Sequence, residues 1–189
     1  MEHSKKIELE KSIRNALPIY KDWPKAGINY LNTVDICRSP KAFRDSVEFY
    51  YNVACDADVD YIFAADARGF IWASPVAYRL GTPLHVIRKK GKMPGDLVSR
   101  EYELEYGTDI LELQRFKYAS GSVLIVDDVL ATGGTAEAMC KLVHECGVPY
   151  GNMTVACLLD ITFLPGKVKL KNMGVNVETL VDEIGRAHV

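Results

Sequence analysis

Long apolar runs, paired cysteine spacings, a strong excess of charge and the common nucleotide-binding loops are all missing from this sequence. No stretch approaches the roughly 18 apolar residues of a transmembrane helix, so no membrane span is expected. The N-terminal MEHSKKIELEKSIRNAL mixes charge with Ile7, Ile13 and Leu17 at helical spacing and has no continuous apolar segment of a secretory signal; a cytoplasmic protein is the expectation. Five cysteines (Cys37, Cys55, Cys140, Cys146, Cys157) form an odd set without CxxC or CxxH spacing, which argues against a disulfide framework or a zinc site and for reduced, mostly buried thiols. The four histidines, His3, His85, His144 and His188, do not group with other ligands. A net charge of −2 supplies no field for nucleic acid or an anionic membrane, so any phosphate must be bound locally. The absence of GxxxxGK[ST] and GxGxxG sets aside the usual NTP and dinucleotide sites.

The 189 residues, 48% hydrophobic and 25% charged, suit a single domain over 1–189. Helical periodicity spans 4–16, and Ser39-Pro40 reads as an N-cap and first helical residue ahead of Phe43, Val47, Tyr50, Tyr51 and Ala54 on one face. Apolar strands are expected at 59–65, 84–87, 122–126, 154–159 and 175–180, with helices at 71–80 and 135–146 closed by Gly81 and Gly147. Alternation around Gly107-Thr108 reads as an exposed antiparallel hairpin. Strands alternating with helices imply an α/β fold with a mostly parallel sheet flanked by helices. Trp23 and Trp72 are expected to be packing anchors.

One stretch concentrates chemistry. VLIVDDVLATGGT, residues 123–135, runs a strand of β-formers into Asp127-Asp128 and then into a turn of small residues, Ala131, Thr132, Gly133, Gly134 and Thr135. Ligands in parallel α/β sheets gather beyond the carboxyl ends of strands. Paired carboxylates there can ligate a metal or accept hydrogen bonds from vicinal hydroxyls, while a small-residue turn lets backbone N–H groups approach an anion at a helix N-terminus. Taken alone, the same string also suits a solvated connection whose acids cap the helix.

This stretch resembles the phosphoribosyl pyrophosphate (PRPP) motif of type I phosphoribosyltransferases. DYIFAADARGF (60–70), IRKKGKMPG (87–95) and YELEYGTDILELQ (102–114) resemble the adenine enzymes of that family in the same order. The resemblance implies the type I phosphoribosyltransferase fold, with a small N-terminal hood at about 18–36 and a flexible β-hairpin catalytic loop at about 92–114. It further implies a purine-salvage transferase that turns PRPP and a purine base into a purine nucleoside 5′-monophosphate and pyrophosphate. Asp127 and Asp128 would hold the ribose hydroxyls, and Ala131 to Thr135 the 5′-phosphate. Asp66, Ala67 and Arg68, in a turn that carries a non-proline cis peptide in the family, would meet the pyrophosphate with Arg88, Lys89 and Lys92. For RKKGK alone, a solvated basic loop is the competing reading. Glu105 and Tyr106, at the loop tip, would act near the base and the reacting centre. Mg²⁺ would be held mainly by PRPP and water, and a homodimer is implied, with no nucleic acid or membrane partner.

The hood departs from the adenine pattern FPxPGxxFRDI. Here Asn29-Tyr30-Leu31-Asn32 keeps an aromatic residue to stack on a purine but replaces arginine by Leu31 and aspartate by Asn32. The same stretch is also similar to the FLNHQID segment of xanthine enzymes. An amide offers both donor and acceptor, so Asn32 leaves adenine and the 6-oxopurines hypoxanthine, guanine and xanthine open. A regulator that senses PRPP or nucleotide on this fold, and a pyrimidine enzyme, are the remaining alternatives.

Overall fold

The structure is a computed structural model, and it describes residues 1–23, 26, 29–103, 107–183 and 187–188. In chain order the elements are α1 (His3–Ala16), β1 (Ile19–Lys21), β2 (Asn29–Leu31), a 3₁₀ turn (Thr33–Arg38) and α2 (Pro40–Asp56). There follow β3 (Val59–Ala65), α3 (Gly69–Leu80), β4 (Leu84–Lys89), the hairpin β5 (Leu97–Glu103) and β6 (Thr108–Gln114), and β7 (Ser122–Leu130). The chain continues through α4 (Gly134–Glu145), β8 (Met153–Ile161), α5 (Gly166–Asn172), β9 (Asn176–Glu183) and β10 (Ala187–His188).

The main sheet has the order β5-β6-β4-β3-β7-β8-β9. Strands β4, β3, β7, β8 and β9 are parallel, and the hairpin extends the β4 edge in antiparallel fashion. Both faces are covered, and the period of two along the strands divides the core. Ile62, Ala64, Leu124 and Val126 pack with α1, α2 and α3, whereas Phe63, Ala65, Val123 and Ile125 pack with α4 and α5. Trp72 is fully buried, as an anchor should be; Trp23 is instead half exposed.

Local signals act as expected at most ends. Ser39 Oγ accepts from Ala42 N–H at 3.3 Å with Pro40 in the first turn, and Gly81 and Gly147 take positive φ where α3 and α4 finish. Three features differ from the expectations. The hood contains short strands that the sequence reading did not include, since β1 and β2 pair there and β10 joins them in a second, three-stranded sheet. Strand β7 runs past the acidic pair, and α5 emerges from a stretch that carried no clear helical period. All five cysteines are free, but Cys37 and Cys55 are exposed and Cys146 half-buried, so fewer thiols are buried than their composition suggested. No described helix is long and apolar enough to cross a membrane.

Candidate active site

Asp127 and Asp128 lie inside β7 yet beyond the end of β3. The β3–β7 pairing stops at Ala64↔Val126, whereas β7 stays paired with β8 as far as Leu130↔Asp160. The acids therefore sit in a step at the sheet's carboxyl edge, supported on one side and open on the other. Tyr50, fully buried, donates its hydroxyl to Asp127 O at 2.7 Å, and Trp72 beside it donates to Ser46 Oγ at 2.9 Å. This buried polar pair fixes the backbone under the carboxylates without an orphaned donor.

The two acids differ electrically. Asp128 is buried, 2.7 Å from Arg68 Nε, and also accepts from the Thr33 hydroxyl. Asp127 is half-buried, and its Oδ1 accepts only from the Asp128 N–H at 3.0 Å among the described residues. Burial, and then the neighbouring Asp128 charge, push the Asp127 carboxyl well above the ordinary range of 3.8. Burial also works against the Arg68 charge, but Asp128 and Asp127 outweigh it, so the guanidinium stays firmly cationic. One carboxylate is thus compensated, while the other gains most from a ligand bringing hydroxyl donors or a cation.

Behind the acids the chain turns through Ala131-Thr132-Gly133 into α4. Gly133 has φ of 82°, a conformation that favours glycine, and supplies no side-chain cap, so the first N–H groups of α4 are available to an anion. The turn is held from outside by α5. Gly166 N–H donates to Ala131 O at 3.1 Å, and a Cβ on Gly133 would stand 2.8 Å from Gly166 Cα. Lys167 pairs with buried Asp160 of β8 at 3.1 Å, and Lys169 pairs with Glu137 of α4 at the same distance. Helix α5 is therefore fastened to both neighbours of the loop.

Arg68 leaves a turn in which the Asp66–Ala67 peptide is cis. Gly69 then starts α3 directly on β7, because a Cβ there would lie 2.7 Å from Val126 O. The basic stretch is anchored rather than freely solvated. Arg88 reaches Asp66 at 3.1 and 3.2 Å, Lys89 pairs with Asp109 at 2.8 Å, and Gly91 N–H donates to the buried Glu112 carboxylate at 2.8 Å. Arg88 Nη1 also approaches the carbonyl of Lys92 at 3.5 Å. From the hairpin, Tyr102 is partly buried, and that burial is the main cause that raises its phenol above the ordinary value of 10.0. Glu105 and Tyr106 lie outside the described residues.

The hood meets the acids through Thr33. In β2, Tyr30 packs against Trp23 with ring centroids 4.4 Å apart, and Leu31 is buried. The Asn32 side-chain N–H₂ donates to Asp35 Oδ2 at 2.9 Å, the same oxygen that accepts from the Tyr20 hydroxyl at 2.8 Å. That bond is the main reason the Tyr20 phenol is held above its ordinary value of 10.0. Thr33, Tyr50, Glu112 and Gly166 are structural partners that motif reading did not single out.

The phosphoribosyl transferase domain family matches residues 38–168. An adenine phosphoribosyltransferase of Acetivibrio thermocellus is 43% identical over 162 residues, 85% of this chain and 92% of that protein. The chain belongs to the adenine phosphoribosyltransferase family. Among solved structures, the adenine phosphoribosyltransferase of Thermoanaerobacter pseudethanolicus superposes with a TM-score of 0.82 at 38% identity, covering 92% of this chain and 99% of that one. The Giardia lamblia adenine phosphoribosyltransferase, complexed with 9-deazaadenine, gives a TM-score of 0.85 at 29% identity, covering 93% and 98%. The chain is thus a pentosyltransferase of the type I phosphoribosyltransferase fold, and the likeness of its hood to xanthine enzymes finds no support in these relatives.

Proposed function

We propose that this phosphoribosyltransferase joins adenine to PRPP, forming adenosine 5′-monophosphate (AMP) and pyrophosphate. The observation that carries the reading is the unequal acid pair, Asp128 compensated by Arg68 and Asp127 not, set against a glycine turn at a helix N-terminus. In the reaction the bond from the anomeric carbon to pyrophosphate breaks, a bond to an imidazole nitrogen of adenine forms, and that ring loses a proton. The ribosyl centre becomes cationic while negative charge collects on the leaving group, so positioning and electrostatics supply the catalysis.

Asp127 and Asp128 hold the ribose hydroxyls in this proposal, and Ala131 to Thr135 hold the 5′-phosphate through N–H groups and hydroxyls. Arg68, Arg88, Lys89 and Lys92 face the pyrophosphate, with Asp66 and Ala67 shaping that turn. Tyr30 stacks on the base, with Asn29, Leu31 and Asn32 around it, and Glu105 and Tyr106 act from the loop tip. Among the described residues no three His, Cys, Asp or Glu side chains converge as a metal cage. The acid pair instead suits a hard cation that keeps its water and substrate oxygens. When bound with PRPP, Mg²⁺ would offset the charge on the departing pyrophosphate. Residues 1–189 act as one domain, with the hood over the base and the 92–114 loop over PRPP. We place the enzyme in the cytoplasm as a homodimer.

The test is pyrophosphate release by purified protein with PRPP and Mg²⁺, comparing adenine, hypoxanthine, guanine and xanthine. Turnover with adenine is expected; no turnover with any purine overturns the reading.

A further inference from the structure

We infer that Asp35 determines the choice of base by locking the Asn32 amide with its carbonyl oxygen outward, as an acceptor for the exocyclic amine of a 6-aminopurine. The inference rests on the function proposed above and assigns it a selectivity residue outside the adenine-type hood motif.

Asp35 is buried, 8% exposed, in the 3₁₀ turn directly behind the hood strand. Its Oδ2 accepts from Tyr20 and Asn32, and its Oδ1 is 3.0 Å from Arg38 Nη1. Its own N–H donates to Asn32 O at 3.2 Å, which closes the turn and holds the two residues together. A carboxylate offers acceptors only, so the Asn32 atom 2.9 Å away must be the N–H₂ group and not the carbonyl oxygen. The amide, ambiguous in sequence, has a single orientation once Asp35 stands beside it. Among the described residues Asn32 Oδ1 accepts from no partner.

The position of that oxygen suits a reader of the base edge. Asn32 has extended backbone, φ −91° and ψ 95°, continuing β2, so its side chain leaves the chain on the same side as Tyr30 and opposite buried Leu31. Thr33, one residue on, touches Asp128. The stacking ring and the amide oxygen therefore share one face of the hood strand, whose end Thr33 ties to the acid pair. An acceptor there meets the amine of adenine favourably and the carbonyl of hypoxanthine with repulsion between two acceptors.

The experiment compares kcat/KM for adenine and for hypoxanthine in wild type, Asp35→Asn and Asn32→Ala, with KM for PRPP measured alongside. In Asp35→Asn, Arg38 retains the carbonyl oxygen of the new amide, leaving its N–H₂ toward Asn32. Asn32 then turns its carbonyl inward and offers N–H₂ to the base. The adenine-to-hypoxanthine ratio is expected to fall about tenfold or more in Asp35→Asn, through loss for adenine and gain for hypoxanthine, and by a similar factor in Asn32→Ala through loss for adenine alone. KM for PRPP should stay within about twofold, which a general loosening of the hood would not leave unmoved. Should Asp35→Asn fail to fold, the half-exposed Asn32→Ala variant decides. Wild-type ratios in folded variants overturn the inference while the proposed function stands; a wild-type enzyme that rejects adenine overturns both.

Discussion

Gly133 and Gly166, thirty-three positions apart, meet so closely that a side chain on either has no room. A Cβ on Gly166 would stand 2.4 Å from Ala131 O and 3.0 Å from Gly133 N. Because these are backbone atoms, relief requires moving the glycine turn itself. For Gly166→Ala we expect a loss of about 1–3 kcal/mol in stability. We also expect at least a tenfold rise in KM for PRPP, read from thermal melts and initial rates, with a smaller change in KM for adenine.

Arg68→Gln tests the compensated half of the acid pair. Removing the guanidinium leaves Asp128 buried with, among the described side chains, the Thr33 hydroxyl as its remaining donor, at a cost of about 1–3 kcal/mol after allowing for the partial exposure of Arg68. Both kcat and the melting temperature should fall. Arg68→Lys should restore much of the stability and little of the rate, since an ammonium cannot reproduce the fork of a guanidinium.

Asp127 sets a pH dependence with a defined sign. Its folded-state pKa is raised, so its contribution to stability is present at acid pH and is lost as pH rises through the raised value. The ligand-free melting temperature should decline from acid to mildly alkaline pH. Ribose hydroxyls favour the ionised carboxylate, so the stabilisation by AMP should grow over the same interval. Asp127→Asn should flatten both trends, measured as melting temperature with and without AMP at each pH.

Glu112→Ala examines the anchored basic loop. It deprives Gly91 N–H of its acceptor and frees the segment carrying Lys89 and Lys92. KM for PRPP should rise about three- to tenfold, with KM for adenine nearly unchanged; equal effects on both would place the loop away from the pyrophosphate.

Much of this arrangement was legible in the sequence because it depends on local rules. The runs at 59–65 and 122–126 are continuous β-formers, and Ser39-Pro40, Gly81 and Gly147 mark helix ends by their own backbone chemistry. What escaped depends on partners distant in the chain. Strand β7 continues through two aspartates because β8 pairs with it to Leu130, which no local propensity announces. The three-residue strands β1 and β2 are too short for an alternating pattern, and β2 gains its second neighbour from β10 at the far end of the chain. Gly166 looked like an ordinary loop glycine until the turn at Gly133 was placed against it. The same holds for Asn32, an amide of undecided orientation until Asp35 is seen to accept from it.

The most direct test of the central claim is a crystal structure of the protein with AMP. The expected result places the ribose hydroxyls on Asp127 and Asp128 and the 5′-phosphate against residues 131–135. Clear density for AMP elsewhere, with water alone beside the acid pair and the glycine turn, would contradict the account.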